Sequence, residues 1–146
     1  MAGAHRIILD TNVFVGAGFN RRSASARLIE AARAGDLNLI WDVATRDETR
    51  RVMTKIPRIS WDSVADVFLP EHEWRTGTDL VAAGFVEDPE DRKFAALSQA
   101  TGATLISSDS DLLDHSDRLD VVPPGRFLDA LRSAKASPDT NPDPAD

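Results

Sequence analysis

Four acidic stretches carry the residues with the clearest chemical potential. The apolar run of "RIILD" closes on Asp10, and "TLISSD" closes on Asp109, with Asp111 two residues further on. Asp91 lies in "EDPEDRKFAAL", just after Asp88-Pro89, and Glu48 lies in "DVATRDETRRVM" after a second apolar run. All four acids begin at or just after the carboxyl end of an apolar strand-like segment. In a parallel sheet they can face one cleft. Carboxylates brought together repel and raise one another's pKa. A fold tolerates them with a cation or shared protons, and Mg²⁺ or Mn²⁺ suits an all-oxygen ligand set. Such a centre supports metal-assisted hydrolysis of a phosphodiester. Taken singly, each acid has a plainer reading. Asp10 can cap a turn, and Asp91 can occupy the N3 position of a helix capped by Asp88 with Pro89 at N1. Asp47 can face inward in place of Glu48. Asp109 and Asp111 can form a polar loop. Convergence carries the chemical reading.

The elements that must position these acids are legible in outline. Residues 5–9 read as a buried parallel strand. Gly16, Gly18 and Asn20 mark a loop. Ser23 to Ala34 reads as a helix, with Gly35 where a C-cap belongs. Leu37 to Trp41 reads as a second strand, and Asp42 can cap a helix running to about Lys55. Ser60 opens a helical stretch ended by Pro70, and Leu80 to Val86 reads as a short strand. A helix from Asp88-Pro89 to near Gly102, a strand Ala103 to Ser107, a short strand Asp120 to Val122 and a helix after Pro123-Pro124 complete the pattern. Strands alternating with helices predict a three-layer α/β/α sandwich on a mainly parallel sheet, with its site beyond the carboxyl ends of the strands.

Bulk composition sets the frame. At 146 residues and 42 % hydrophobic, the expectation is one domain over 1–134 with a real core. The segment 135–146, rich in Pro, Asp and Asn, reads as a disordered tail. No apolar run approaches the roughly 20 residues of a membrane span, so no membrane association is expected. No N-terminal h-region suggests export. The chain has no cysteine, which excludes disulfides and thiolate metal sites and fits a cytoplasmic protein. The net charge of −7 argues against a broad basic surface, though not against a nucleic-acid enzyme whose acids gather at a metal.

In this order, "ILDTNVFV", "ATRDETRRVM", "DPEDRKFAALSQATGATLISSDSDLL" and "VVPPGRFLDAL" resemble the PIN-domain family, over about residues 5 to 132. Within that family the chain is most similar to the small VapC-like toxin ribonucleases of prokaryotic toxin–antitoxin pairs. The resemblance implies a PIN-like fold and a metal-dependent endoribonuclease. Asp10, Glu48, Asp91 and Asp109 match its catalytic and metal-binding acids. Asp111 matches a frequent further acid, while Asn12 and Ser107 match supporting residues. Ser108 stands where relatives often have glycine, which changes the loop's freedom without removing a ligand. Thr11 and Asn12 would hold the Asp10 carboxylate by hydrogen bonds. The resemblance further implies an RNA substrate, a cognate antitoxin and a homodimer.

Arg46, Arg50, Arg51, Lys55 and Arg58 form a basic run on and after the Glu48 helix. Arg46, Arg50 and Arg51 are the candidates for holding RNA phosphates, or alternatively an antitoxin. A solvated helix face paired with Asp47 is the plain alternative. Arg21, Arg22 and Arg27 are a second, weaker group. "GAGFNR" lacks a third glycine and is not a dinucleotide fingerprint. The scattered His5, His72 and His115 show no ligand spacing, and the tryptophans fit packing better than base stacking. Two rivals compete. A phosphoacceptor-aspartate enzyme would need an acid at Asn12 or a lysine at a late strand end. A PIN-like module that binds RNA or protein without turnover would keep its acids yet cut nothing.

Overall fold

The computed structural model describes residues 4–140, with side chains through Ala134. Four short strands form one parallel sheet: β1 (His5–Leu9), β2 (Leu37–Leu39), β3 (Thr104–Ile106) and β4 (Val121–Val122), in the order β2-β1-β3-β4. Around it stand α1 (Thr11–Phe19), α2 (Ala24–Arg33), α3 (Val43–Thr54), α4 (Arg92–Thr101), α5 (Ser110–Leu113) and α6 (Pro124–Thr140). The chain passes from β1 to β2 on one side and returns to β3 on the other. The crevice where strand order reverses therefore opens between the carboxyl ends of β1 and β3, where open α/β sheets bind ligands.

Strand periodicity divides the core into two layers. Ile7 and Leu9 of β1 and Ile106 of β3 pack with Val13, Phe14, Leu28, Met53 and Phe127. Ile8 and Leu105 point the other way, into Phe94, Ala95, Leu97 and Leu112. Helices thus cover both faces, as a fully buried parallel sheet requires, and the predicted α/β/α sandwich is the observed fold.

Several local expectations hold because their signals are local. Ser23 caps α2 by accepting from the Ala26 amide. Asp42 and Thr45 form a reciprocal capping box on α3. Gly35 and Gly102 take positive φ just past α2 and α4.

Three expectations do not hold. The glycine-marked segment after Asp10 is helix α1, not a loop. Asp10 caps it, and Val13, Phe14 and Ala17 bury one side of it. The stretch opened by Ser60 is a string of 3₁₀ turns, at Trp61–Ser63, Ala65–Val67 and Pro70–His72. The Arg33 guanidinium holds the Ser63 carbonyl and the Asp66 carboxylate there. Residues 80–86 are turns rather than a strand. The Asp79 side chain accepts the Ala82 amide at 3.0 Å, and Val81 is 90 % exposed, so no inward-facing alternation exists. Helix α6 continues to Thr140, through the start of the segment read as a tail; residues 141–146 lie outside the described residues. Among the described residues no helix is long and apolar enough to cross a membrane.

The two glycines of α1 should respond oppositely to substitution. A Cβ on Gly18 would collide with the Ile59 side chain, including its Cβ at 2.9 Å. Gly18→Ala is expected to lower stability by about 1–3 kcal/mol through overpacking. A Cβ on Gly16 meets only Ser25 Oγ at 3.9 Å. Gly16→Ala is expected to raise stability by roughly 0.5–1 kcal/mol, the helix-propensity gain of alanine over glycine. Urea denaturation of the two variants measures both signs.

Candidate metal centre

Leu9 pairs with Ile106 across β1 and β3, so the next residues along, Asp10 and Ser107, leave the sheet side by side. The Asp10 amide still bonds the Ile106 carbonyl at 3.1 Å, and the Ser107 amide bonds the Val122 carbonyl at 3.1 Å. Asp10 is only 3 % exposed. Its Oδ1 accepts the amides of Asn12 at 2.9 Å and Val13 at 3.3 Å, while its Oδ2 accepts the Ser107 hydroxyl. That same hydroxyl accepts the Asp109 amide at 2.9 Å. Ser107 therefore couples the two acids that end β1 and β3. Asp109 caps α5 by accepting the Asp111 amide at 2.9 Å.

Asn12 contributes its backbone amide to Asp10, and its side chain is exposed to solvent. Thr11 has a different task from the expected one. Its hydroxyl meets Thr49 Oγ1 at 3.0 Å, in a buried contact that ties α1 to α3. This fixes α3 with Glu48, not Asp47, on the cleft: Glu48 lines it, and Asp47 is exposed beside Arg46.

Asp91 enters from the opposite side. It stands at the N-cap of α4, not at N3, because Asp88–Asp91 forms a separate turn closed by the Asp91 amide on the Asp88 carbonyl at 3.0 Å. Buried Phe94 anchors the helix beneath it. Arg92 clasps the preceding loop through the Val86 carbonyl at 2.7 Å. Asp91 Oδ2 is buried and has no hydrogen-bond partner among the described residues.

The result is a cleft of about 190 Å³ lined by Asp10, Glu48, Asp88, Glu90, Asp91 and Asp109, with Thr11, Asn12, Val52 and Phe94. All four acids singled out from the sequence reach it. Asp111 lies to one side, where oxygens of Asp88, Asp91 and Asp111 fall within 4.8 Å of one another. Burial, opposed by the Ser107, Val13 and Asn12 hydrogen bonds, pushes the Asp10 carboxyl up to about 6. Burial, then the charge of Asp109, pushes Asp91 up to about 7. Asp111 is raised chiefly by the Asp109 charge. An orphaned buried oxygen among carboxylates that resist ionisation is what an oxygen-seeking dication relieves, so the donor set fits Mg²⁺ or Mn²⁺. Asp10, Asp91 and Asp109 could hold it, with Glu48, Asp88 or Asp111 within the same group.

Two cations stand at the rim. Lys93 Nζ lies 3.1 Å from Glu48 Oε1 and 3.2 Å from Glu90 Oε1. Arg51 also contacts Glu48, and meets Glu90 at 3.3 Å. Sequence reasoning missed Asp88 as more than a cap, and missed Glu90 and Lys93 as part of the site. The i,i+3 spacing of Glu90 and Lys93 beside Asp91 was the available signal. The basic run does not act as one strip. Arg51 is absorbed by the acids, and Arg46 sits on Asp47 with its guanidinium 5.0 Å from the Trp41 ring centre. Arg50 is exposed and without a partner among the described residues.

The sequence model of the PIN domain matches residues 6–111. The fold is also that of a crystal structure of PAE2754 from Pyrobaculum aerophilum. It superposes with a TM-score of 0.59 at 15 % identity, covering 89 % of this chain and 98 % of that one. No curated protein matches this chain. The matched region contains both strands that deliver Asp10 and Asp109 and the helices that carry Glu48 and Asp91, and the chain belongs to the PIN-domain family.

Proposed function

We propose that this protein is a Mg²⁺- or Mn²⁺-dependent endoribonuclease, the toxin of a toxin–antitoxin pair. The observation that carries the reading is the convergence of Asp10, Asp91 and Asp109, from three separate elements, around the partnerless buried oxygen of Asp91. A PIN domain is a nuclease-type fold, and the acid cluster gives it the corresponding chemistry. Bound there, the metal would lower the pKa of a water and offset charge building on the scissile phosphate. Asp10, Asp91 and Asp109 are its proposed ligands, with Asp111 as a further acid. Glu48 is a ligand or the group that orients the attacking water. Ser107 fixes the Asp10 carboxylate, and the Asn12 amide does so from the other side. Of the RNA-binding candidates Arg46, Arg50 and Arg51, Arg50 is the proposed contact for a flanking phosphate, since Arg46 pairs with Asp47 and Arg51 with Glu48. The choice of RNA, a cognate antitoxin, a homodimer and a cytoplasmic setting belong to this same reading and rest on the motif resemblance.

Cleavage of mixed structured and unstructured RNAs with Mn²⁺ tests it. Wild type is expected to cut and Asp10→Asn to lose at least a hundredfold in rate while keeping its fold. RNA bound equally by both proteins and cut by neither would replace the nuclease with a binding module.

The acid cluster also fixes the sign of a pH effect in the metal-free protein. Asp10 titrates near 3.8 when unfolded and about 6 when folded. Between those values the native state holds a proton the unfolded chain has lost, so the contribution of Asp10 to stability is full below pH 4 and is lost as pH rises through 6. Asp91 extends the decline towards pH 7. Thermal melts should show lower stability at pH 7.5 than at pH 5.5. Asp10→Asn should stabilise the metal-free protein at pH 7.5 by about 1–3 kcal/mol, because it removes a carboxyl that burial holds up at about 6. A variant less stable than wild type at that pH would show that Asp10 bears no such strain.

A further inference from the structure

The cleft's carboxylates fall into two groups. Glu48 and Glu90 share two cations, while Asp10, Asp88, Asp91 and Asp109 contact none among the described residues. Lys93 is the inner cation. Its side chain is 21 % exposed, and its ammonium bridges Glu48 and Glu90 from the first turn of α4, two residues after Asp91. Arg51 reaches the same two acids from outside, 55 % exposed. A surface ion pair is worth little and is easily rearranged. The Lys93–Glu48 pair is more sheltered, with side chains 21 % and 10 % exposed, and it sets a counter-charge at the edge of the acid cleft.

Resting on the metal-dependent reading above, we propose that Lys93 is the cleft's second cation. The cleft then takes a single divalent ion, on its Asp10–Asp91–Asp109 side, and Glu48 serves as the lysine's partner rather than as a ligand. A second dication at Glu48 would meet the ammonium at close range and would have to displace it. Removing the ammonium leaves Glu48 and Glu90 with Arg51 alone, a 55 % exposed cation whose ion pairs rearrange easily and yield to a second dication. Lys93 therefore sets how many metals the cleft holds.

The test counts Mn²⁺ bound per full-length chain, by titration with electron paramagnetic resonance of the free ion. It compares wild type, K93R, K93M, E48Q and K93M/E48Q, each checked for fold by circular dichroism. K93M is expected to bind one more ion than wild type. K93R should match wild type, and K93M/E48Q should return to the wild-type count. E48Q alone should lose no ion, a readout that stands even if K93M does not fold. An unchanged count in K93M, or loss of an ion in E48Q, overturns the proposal. These counts are separate from RNA cleavage. A wild type that cuts RNA with no difference between K93M and wild type sinks the lysine's role alone. A wild type that neither cuts RNA nor binds Mn²⁺ sinks the nuclease reading.

Discussion

The Ser107 hydroxyl stands at the one point on which the site's geometry depends. It donates to Asp10 and accepts from the Asp109 amide, so it locks together the first residues beyond the two central strands. The sheet register makes this possible, since Leu9 opposite Ile106 puts Asp10 opposite Ser107. A slip of one residue would turn Asp10 towards a helix layer and break the ladder bond it still makes to Ile106. Register is in turn held by burial. Ile7 and Leu9 fill one layer, and Ile8 fills the other. A slip would also move each of these side chains into the opposite packed layer, where its volume does not fit. The apolar core thus specifies where a carboxylate stands.

The far wall is positioned by different means. Thr49 is buried and grips Thr11, so α3 is docked against the start of α1, the helix that Asp10 caps. One turn of α3 places Thr49 inward and Glu48 on the cleft. Asp91 is placed by Phe94 below it and by Arg92 drawing in the loop before it. None of these supporting residues is acidic, and each touches a site acid's own element rather than its carboxylate. Among the described residues, no side-chain cation reaches Asp10, Asp91 or Asp109 in the cleft. Asp91 Oδ2 is the extreme case.

The sheet, both of its layers and the meeting of Asp10, Glu48, Asp91 and Asp109 in one cleft were legible in the sequence, because a strand that closes on a carboxylate is a local signal with a topological meaning. Caps at Ser23 and Asp42 and the glycines after α2 and α4 were legible for the same reason. Helix α1 was not. Its glycines argue against a helix, while the cap from Asp10 next to it and, from far along the chain, the close seat of Ile59 on Gly18 favour one. The exposed Leu80 and Val81 imitate a strand by composition, but an Asp79 cap folds them into turns. Lys93 was visible only as a lysine. Its meaning needs α3 and α4 brought together, which no single segment encodes.

Three helices begin at the cleft, and each has a site acid at its N-cap: Asp10 on α1, Asp91 on α4 and Asp109 on α5. Helix N-termini present free amides and a positive dipole end, which favour an anion beside them. The fold thereby offsets part of the repulsion its own acids create. The offset is incomplete. Asp10 takes two amides and a hydroxyl, yet burial still holds it up to about 6. Asp91 takes no side-chain cap bond at all and is pushed further, to about 7. Backbone donors could have been arranged to satisfy Asp91 completely, as they nearly do for Asp10. Leaving it unsatisfied costs stability at neutral pH, and the buried helix faces of both layers absorb that cost. An oxygen with no partner among the described residues keeps its full capacity to accept, which is what the donor set of an oxygen-seeking cation requires.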